Sequence, residues 1–163
     1  MRSLICLLFL LILPVIGYSQ VKKDSELFIT LKTEDSLLFE KGFNQCDLDY
    51  FELKITTDLK FFHDQSGILD RKKFLENTRK NLCSNMRRKP IRKVKPESLE
   101  VFPLYNNGVL YGAIQKGVHN FFIRVSGKED RWTSIAKFTH VWVLENDIWK
   151  LSQVLSYDHQ SPN

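Results

Sequence analysis

The chain carries four histidines, His63, His119, His140 and His159. Two of them adjoin a carboxylate, in the pairs His63-Asp64 and Asp158-His159. An imidazole takes up and releases a proton near neutral pH. A carboxylate beside it holds one tautomer and raises its basicity, which is the apparatus of general acid–base catalysis. The same residue types are ligands for zinc or iron, although no His-Glu-x-x-His spacing is present. Neighbours along a strand point to opposite faces. A crossed pair, His63 with Asp158 or His159 with Asp64, is therefore easier to form than an adjacent one. Either chemistry requires distant segments to be brought together.

The elements that would do this fall in two groups. TEDSLLFEKGFNQ, residues 33–45, reads as an amphipathic helix with Thr33 as its cap and Glu34 and Asp35 in its first turn. Residues 26–32 alternate at Leu27, Ile29 and Leu31 and fit strand or helix. A second short helix is expected over Asp47–Lys54. TTDLKFFHDQSG reads as a strand that ends at His63-Asp64 and turns at Gln65-Ser66-Gly67. Asp70 caps a third helix, which cannot continue past Lys89-Pro90. The remainder is strand. Asn107-Gly108 is the strongest hairpin signal, and Asn146-Asp147 centres a final hairpin. Helices first and an antiparallel meander after them make an α+β domain.

A two-residue turn at Asn146-Asp147 fixes an expected register. Trp142 would face Leu151, His140 would face Gln153, Phe138 would face Leu155, and Ala136 would face Tyr157. Phe138, His140, Trp142, Trp149, Leu151, Leu155, Tyr157 and His159 then share one face. That face reads as a core, or as a ligand pocket containing Gln153 and the titratable His140. In the preceding hairpin, His119 shares parity with Tyr111 and Ala113. Val141, Val143 and Val154 fall on the other face and suit an interface between two copies of the chain.

The chain has 163 residues and a formal net charge of +5. Arg2 followed by SLICLLFLLILPVI, then Gly17-Tyr18-Ser19, reads as a secretory signal peptide over residues 1–19. The apolar run is short for a membrane span. A single domain, residues 20–163, is expected to remain, periplasmic or secreted and without a membrane anchor. An oxidising compartment permits a Cys46–Cys83 bridge. Most of the excess charge lies in RKNLCSNMRRKPIRKVK, residues 79–95, which reads first as a solvated face. It lacks interleaved stacking aromatics and a glycine-rich phosphate loop, so nucleic acid is not an expected partner.

Five segments in order resemble the DUF4440, or SnoaL-like, group of the nuclear transport factor 2-like superfamily, in its secreted bacterial form. They are DSLLFEKGFNQCDLDYF, DLKFFHDQSG, LEVFPLY, YGAIQKGVHNFF and AKFTHVWVLENDIWKLSQVLSYDH. The resemblance implies a cone-shaped fold, with N-terminal helices on a strongly bent, mostly antiparallel sheet and a pocket in the concavity. It implies that the His63 strand lies beside the last strand, so that all four histidines come from adjacent strands. Homodimers are implied as well. On this reading the domain binds a small apolar or amphipathic molecule and needs no cofactor. The pocket residues would be Tyr111, His119, Phe138, Trp142, Gln153 and Tyr157. A second reading is a lyase, isomerase or cyclase using His63, Asp64, His140, Asp158 and His159. A third is a metal site drawn from His63, His119, His140 and His159.

Overall fold

The structure, a computed structural model, describes residues 20–162, so the expected signal peptide lies outside the described residues. Helix α1 spans Glu26–Leu37, and its cap is Ser25, whose side chain accepts the Phe28 N–H. It begins earlier than the Thr33 reading placed it, and residues 26–32 are helical. The chain continues as a wider π-type turn over Leu38–Asn44. Leu31, Asp35 and Leu38 follow one another at four and three residues and are all buried. That spacing is one face of a helix. Helix α2, Leu48–Lys54, is capped by the Asp47 side chain. Helix α3, Arg71–Asn77, is capped by Asp70 as expected and runs on as a π-type turn over Thr78–Leu82.

The strands are β1 (Ile55–His63), β2 (Gly67–Asp70), β3 (Arg88–Val94), β4 (Glu100–Asn106), β5 (Val109–Val125), β6 (Arg131–Glu145) and β7 (Ile148–Gln160). They form one sheet in the order β2-β1-β7-β6-β5-β3, with β4 also on β5. Strand β5 is long enough for β4 and β3 to pair with successive stretches of the same edge. Only β1 and β7 run parallel among the described strands. The two predicted turns hold, since Asn106 pairs with Val109 and Glu145 with Ile148. Their central residues have positive φ, the backbone of a tight hairpin.

The basic run is not merely a solvated face. Residues 88–94 form β3, and Pro90 is tolerated there because β3 is an edge strand. Lys89 and Arg92 are nonetheless buried. The Lys89 ammonium donates to the Phe43 and Asn44 carbonyls at 2.6 and 2.9 Å, closing the end of the π-type turn. Between helices and sheet lies a core built on Leu31, Leu38, Phe51, Leu59, Phe138 and Trp142. Gly117 is required beneath Phe138, because a Cβ there would stand 2.8 Å from the ring.

Three bulges change the expected faces. The first is in β7 at Ser152, since Trp142 pairs with Leu151 but Val141 pairs with Gln153. Beyond it, His140 lies opposite Val154, and Phe138 opposite Ser156. The second is at Tyr111, which is skipped between the Leu104–Gly112 and Tyr105–Leu110 pairs. The third is at Asp158, where φ is +60° and the pairing jumps from Lys137–Tyr157 to Ile135–Gln160. Each bulge adds one residue to one strand and reverses the alternation beyond it.

Candidate functional site

The deepest group is ionic. Asp35, on α1, has a fully buried carboxylate that accepts two bonds from Arg92 of β3, Nη1 to Oδ2 at 2.9 Å and Nη2 to Oδ1 at 3.2 Å. Asn44 fixes the Arg92 backbone from both sides, accepting its N–H at 2.9 Å and donating to its carbonyl at 3.0 Å. The guanidinium lies 3.6 Å from the centre of the Phe39 ring. Its Nε donates to His119 Nδ1 at 2.8 Å. Because His119 Nδ1 accepts, its own proton resides on Nε2. His140 Nδ1 lies 3.1 Å from Asp35 Oδ1, but the contact is misaligned for a hydrogen bond and acts electrostatically.

These contacts set the charges. Burial pushes the Asp35 carboxyl up, but the Arg92 guanidinium and the His140 ring outweigh it and hold the group below the usual carboxylate range. Burial, then the nearby Arg92 charge, pushes His119 down to about 2. Burial also lowers His140, with Asp35 opposing. Both rings are neutral at neutral pH. The Nε2 atoms of His119 and His140 are buried and have no protein partner.

A second group lies nearer solvent, at the ends of β1 and β7. Asp64 accepts the His159 backbone N–H at 3.1 Å through Oδ2 and faces its ring Nδ1 at 2.7 Å through Oδ1. His159 Nε2 is 3.4 Å from the Ser156 hydroxyl. The His63 ring stacks on that of His159, with centres 4.4 Å apart. His63 Nδ1 accepts the Gln65 N–H at 3.1 Å and lies 3.4 Å from Asp64 Oδ1. Burial and the neighbouring His159 lower the His63 pKa.

Both groups border one cavity of about 350 Å³ under the curved sheet. Its walls are mainly Phe39, Phe43, Phe61, Phe74, Phe121 and Val154. His63, His119, His140 and His159 all line it, together with Arg92 and Ser156. Four histidines spread over 97 positions of sequence, from 63 to 159, thus meet around one hollow.

Other expected residues lie elsewhere. The Ser152 bulge turns Gln153 and Tyr157 to the outer face, where both are exposed. The Tyr111 bulge leaves Tyr111 exposed in the same way. Asp158 also points outward, to Lys137 at 2.9 Å, and is not a partner for His63. Phe138 and Trp142 are core residues outside the cavity lining; Phe138 sits under His119 and His140, and Trp142 donates to Gln115 at 2.9 Å. Val154 faces the cavity and is unavailable to an outer interface. Cys46 and Cys83 are bridged, with Cα atoms 5.7 Å apart. Asp35, Arg92 and Ser156 were not anticipated. For Asp35 a signal existed, an acidic residue on the Leu31–Leu38 stripe.

The fold is that of the nuclear transport factor 2-like proteins, with N-terminal helices packed on a mixed, mostly antiparallel curved sheet. A superfamily member from Salmonella enterica is 13% identical with a TM-score of 0.58, over 85% of this chain and 94% of that one. One from Cytophaga hutchinsonii is 13% identical with a TM-score of 0.56, over 81% and 97%. A third, from Pseudomonas putida and of unknown function, is 8% identical with a TM-score of 0.60, over 78% and 83%. At these identities the likeness concerns the fold alone. No family model matches the chain, and no curated protein matches it. No helix among the described residues is long and apolar enough to cross a membrane.

Proposed function

We propose that this protein is an exported domain of the DUF4440, SnoaL-like type that binds one small, largely apolar molecule with a polar end. One observation carries the reading. The cavity walls are aromatic, yet two of the buried side chains lining it, His119 and His140, have Nε2 atoms without a protein partner. A buried polar atom left unpaired costs roughly 1–3 kcal/mol. Since His119 carries its proton on Nε2, the ligand's polar end is a hydrogen-bond acceptor such as a carbonyl, hydroxyl or carboxylate oxygen. A volume of about 350 Å³ lies at the lower end of small-molecule sites.

The test is titration with an environment-sensitive apolar dye, 1-anilinonaphthalene-8-sulfonate, followed by native mass spectrometry of the purified chain. Binding should weaken about tenfold in His119→Ala and His140→Ala, the equivalent of about 1.4 kcal/mol. It should be unchanged in Tyr111→Ala and Tyr157→Ala. Equal binding by all four variants would remove the pocket from the account.

The Asp35–His140 contact supports a second reading, general acid–base chemistry on a small organic substrate with neutral His140 as the base. Solvent deuterium incorporation into a panel of small ketones, lost in His140→Gln, is its signature. Export is supported by the leader-like N-terminal pattern and by the Cys46–Cys83 bridge. Cell fractionation decides between retention in the periplasm and release. A homodimer through the outer sheet face is supported by exposed Tyr157 and half-exposed Val141 and Leu155. Sedimentation of Val141→Asp tests it.

A further inference from the structure

We propose that His63, Asp64 and His159 bind one divalent transition-metal ion of the zinc class at the mouth of the cavity. The three residues each offer a ligating atom, and these atoms lie within 4.8 Å of one another. Ligand atoms around a tetrahedral ion with bonds of about 2.0–2.1 Å stand about 3.3 Å apart. The His63 Nδ1 to Asp64 Oδ1 separation of 3.4 Å already fits. The Asp64 Oδ1 to His159 Nδ1 separation of 2.7 Å must open by about 0.6 Å, and the His63 and His159 rings, stacked with planes 20° apart, must rotate so that their in-plane lone pairs converge on the ion.

The surroundings favour this arrangement. Strands β1 and β7 are paired neighbours, and the Asp64 N–H donates to the Ser156 carbonyl at 3.2 Å, so the two histidines stand on a fixed frame. Asp64 Oδ2 is engaged by the His159 backbone, which orients Oδ1 toward the two rings. Ligating carboxylates are commonly held in this manner. His63 Nδ1 accepts from Gln65, so it carries its one lone pair, which an ion takes by displacing the Gln65 N–H. When an ion takes His159 Nδ1, the proton there moves to Nε2, where the Ser156 hydroxyl 3.4 Å away accepts it. The proton displaced by the ion thus has an acceptor.

The bulge at Asp158 is a second, independent observation. Regular alternation after Ser156 would turn His159 away from the cavity. Positive φ at a non-glycine residue carries a cost, and it turns His159 inward beside Asp64. His119 and His140 are excluded from the ligand set. The Arg92 cation is bonded to His119 and neutralises the Asp35 carboxylate that faces His140. Two histidines and one carboxylate leave the ion at least one open position. Because both rings line the cavity, a bound ion stands at its wall.

The test uses tag-free full chain, stripped with a chelator and titrated with cobalt(II), whose visible absorption reports tetrahedral N/O coordination; zinc then competes. One equivalent should bind with micromolar or tighter affinity. His63→Ala, Asp64→Asn and His159→Ala should each weaken it about tenfold or more. His119→Ala and His140→Ala should bind as the parent does. Melting curves of each variant exclude loss of fold. Absence of saturable binding, or binding indifferent to the first three substitutions, overturns the proposal. Dye binding in the cavity, measured without metal, is a separate readout, so the pocket reading and the metal site fail independently.

Discussion

Asp64 and His159, 95 positions apart, meet twice, once through the His159 backbone N–H and once through its ring. Both contacts depend on the extra residue that β7 accommodates at Asp158. Strand pairing alone would give His159 the outward orientation that Asp158 takes.

This makes Asp158 a directing position. Asp158→Gly removes an exposed ion pair to Lys137 and an exposed bond from Gln160, both screened by solvent, and suits the positive φ. It should keep the native melting temperature and the His159 ring environment. Asp158→Val meets the steric cost of left-handed backbone, about 1–2 kcal/mol. Its His159 imidazole resonances should move toward those of an exposed ring.

Asp35 and Arg92 form a pair whose halves are not separately dispensable. Asp35→Asn leaves a buried guanidinium without its counter-charge and should cost about 3–5 kcal/mol in chemical denaturation. Asp35→Leu combined with Arg92→Met removes both charges and should cost less than Asp35→Asn alone. An additive loss in the double variant would mean that the two residues act independently.

Acid sensitivity follows from the neutral rings. His119 stays unprotonated in the fold until about pH 2, whereas the unfolded chain protonates it near pH 6.5. Below pH 6.5 the unfolded state therefore binds more protons, and stability falls as pH falls. The slope from this group is about 1.4 kcal/mol per pH unit. His140 and His63 act in the same direction. The lowered Asp35 pKa adds a further loss below its unfolded value of about 3.8. Denaturation at pH 7 and pH 5 should show the decline, and His119→Gln should flatten it.

The Cys46–Cys83 bridge closes 37 residues that include α2, β1 and α3. The loop-entropy relation gives about 4 kcal/mol for a loop of that size. Cys46→Ser with Cys83→Ser should lower the denaturation midpoint accordingly, and a reductant should have no further effect on that variant.

Hairpins and fold class were legible because turn chemistry is local: Asn107-Gly108 and Asn146-Asp147 announce positive φ in their own residue types. Strand order and the meeting of the histidines came from the family resemblance. The faces of Gln153, Tyr157 and Tyr111 were misread because a bulge is a property of two strands together. Ser152 and Tyr111 carry no mark of being the extra residue. Two of those shifts, at Ser152 and Asp158, restore His159 to the face that simple alternation had given it. Arg92 was hidden in a run of surface-like cations. Only the fold shows that its charge is spent on Asp35.

Strand β7 is the last described strand, yet it occupies the middle of the sheet, joining the β1–β2 hairpin to the β6–β5 meander. During synthesis the hairpin must wait, its edge open, until nearly all of the described chain has emerged. Closing so long a loop is slow, and an unpaired edge is a template for self-association. The step that assembles the rim of the cavity is therefore the one at which refolding at high protein concentration should divert into aggregates.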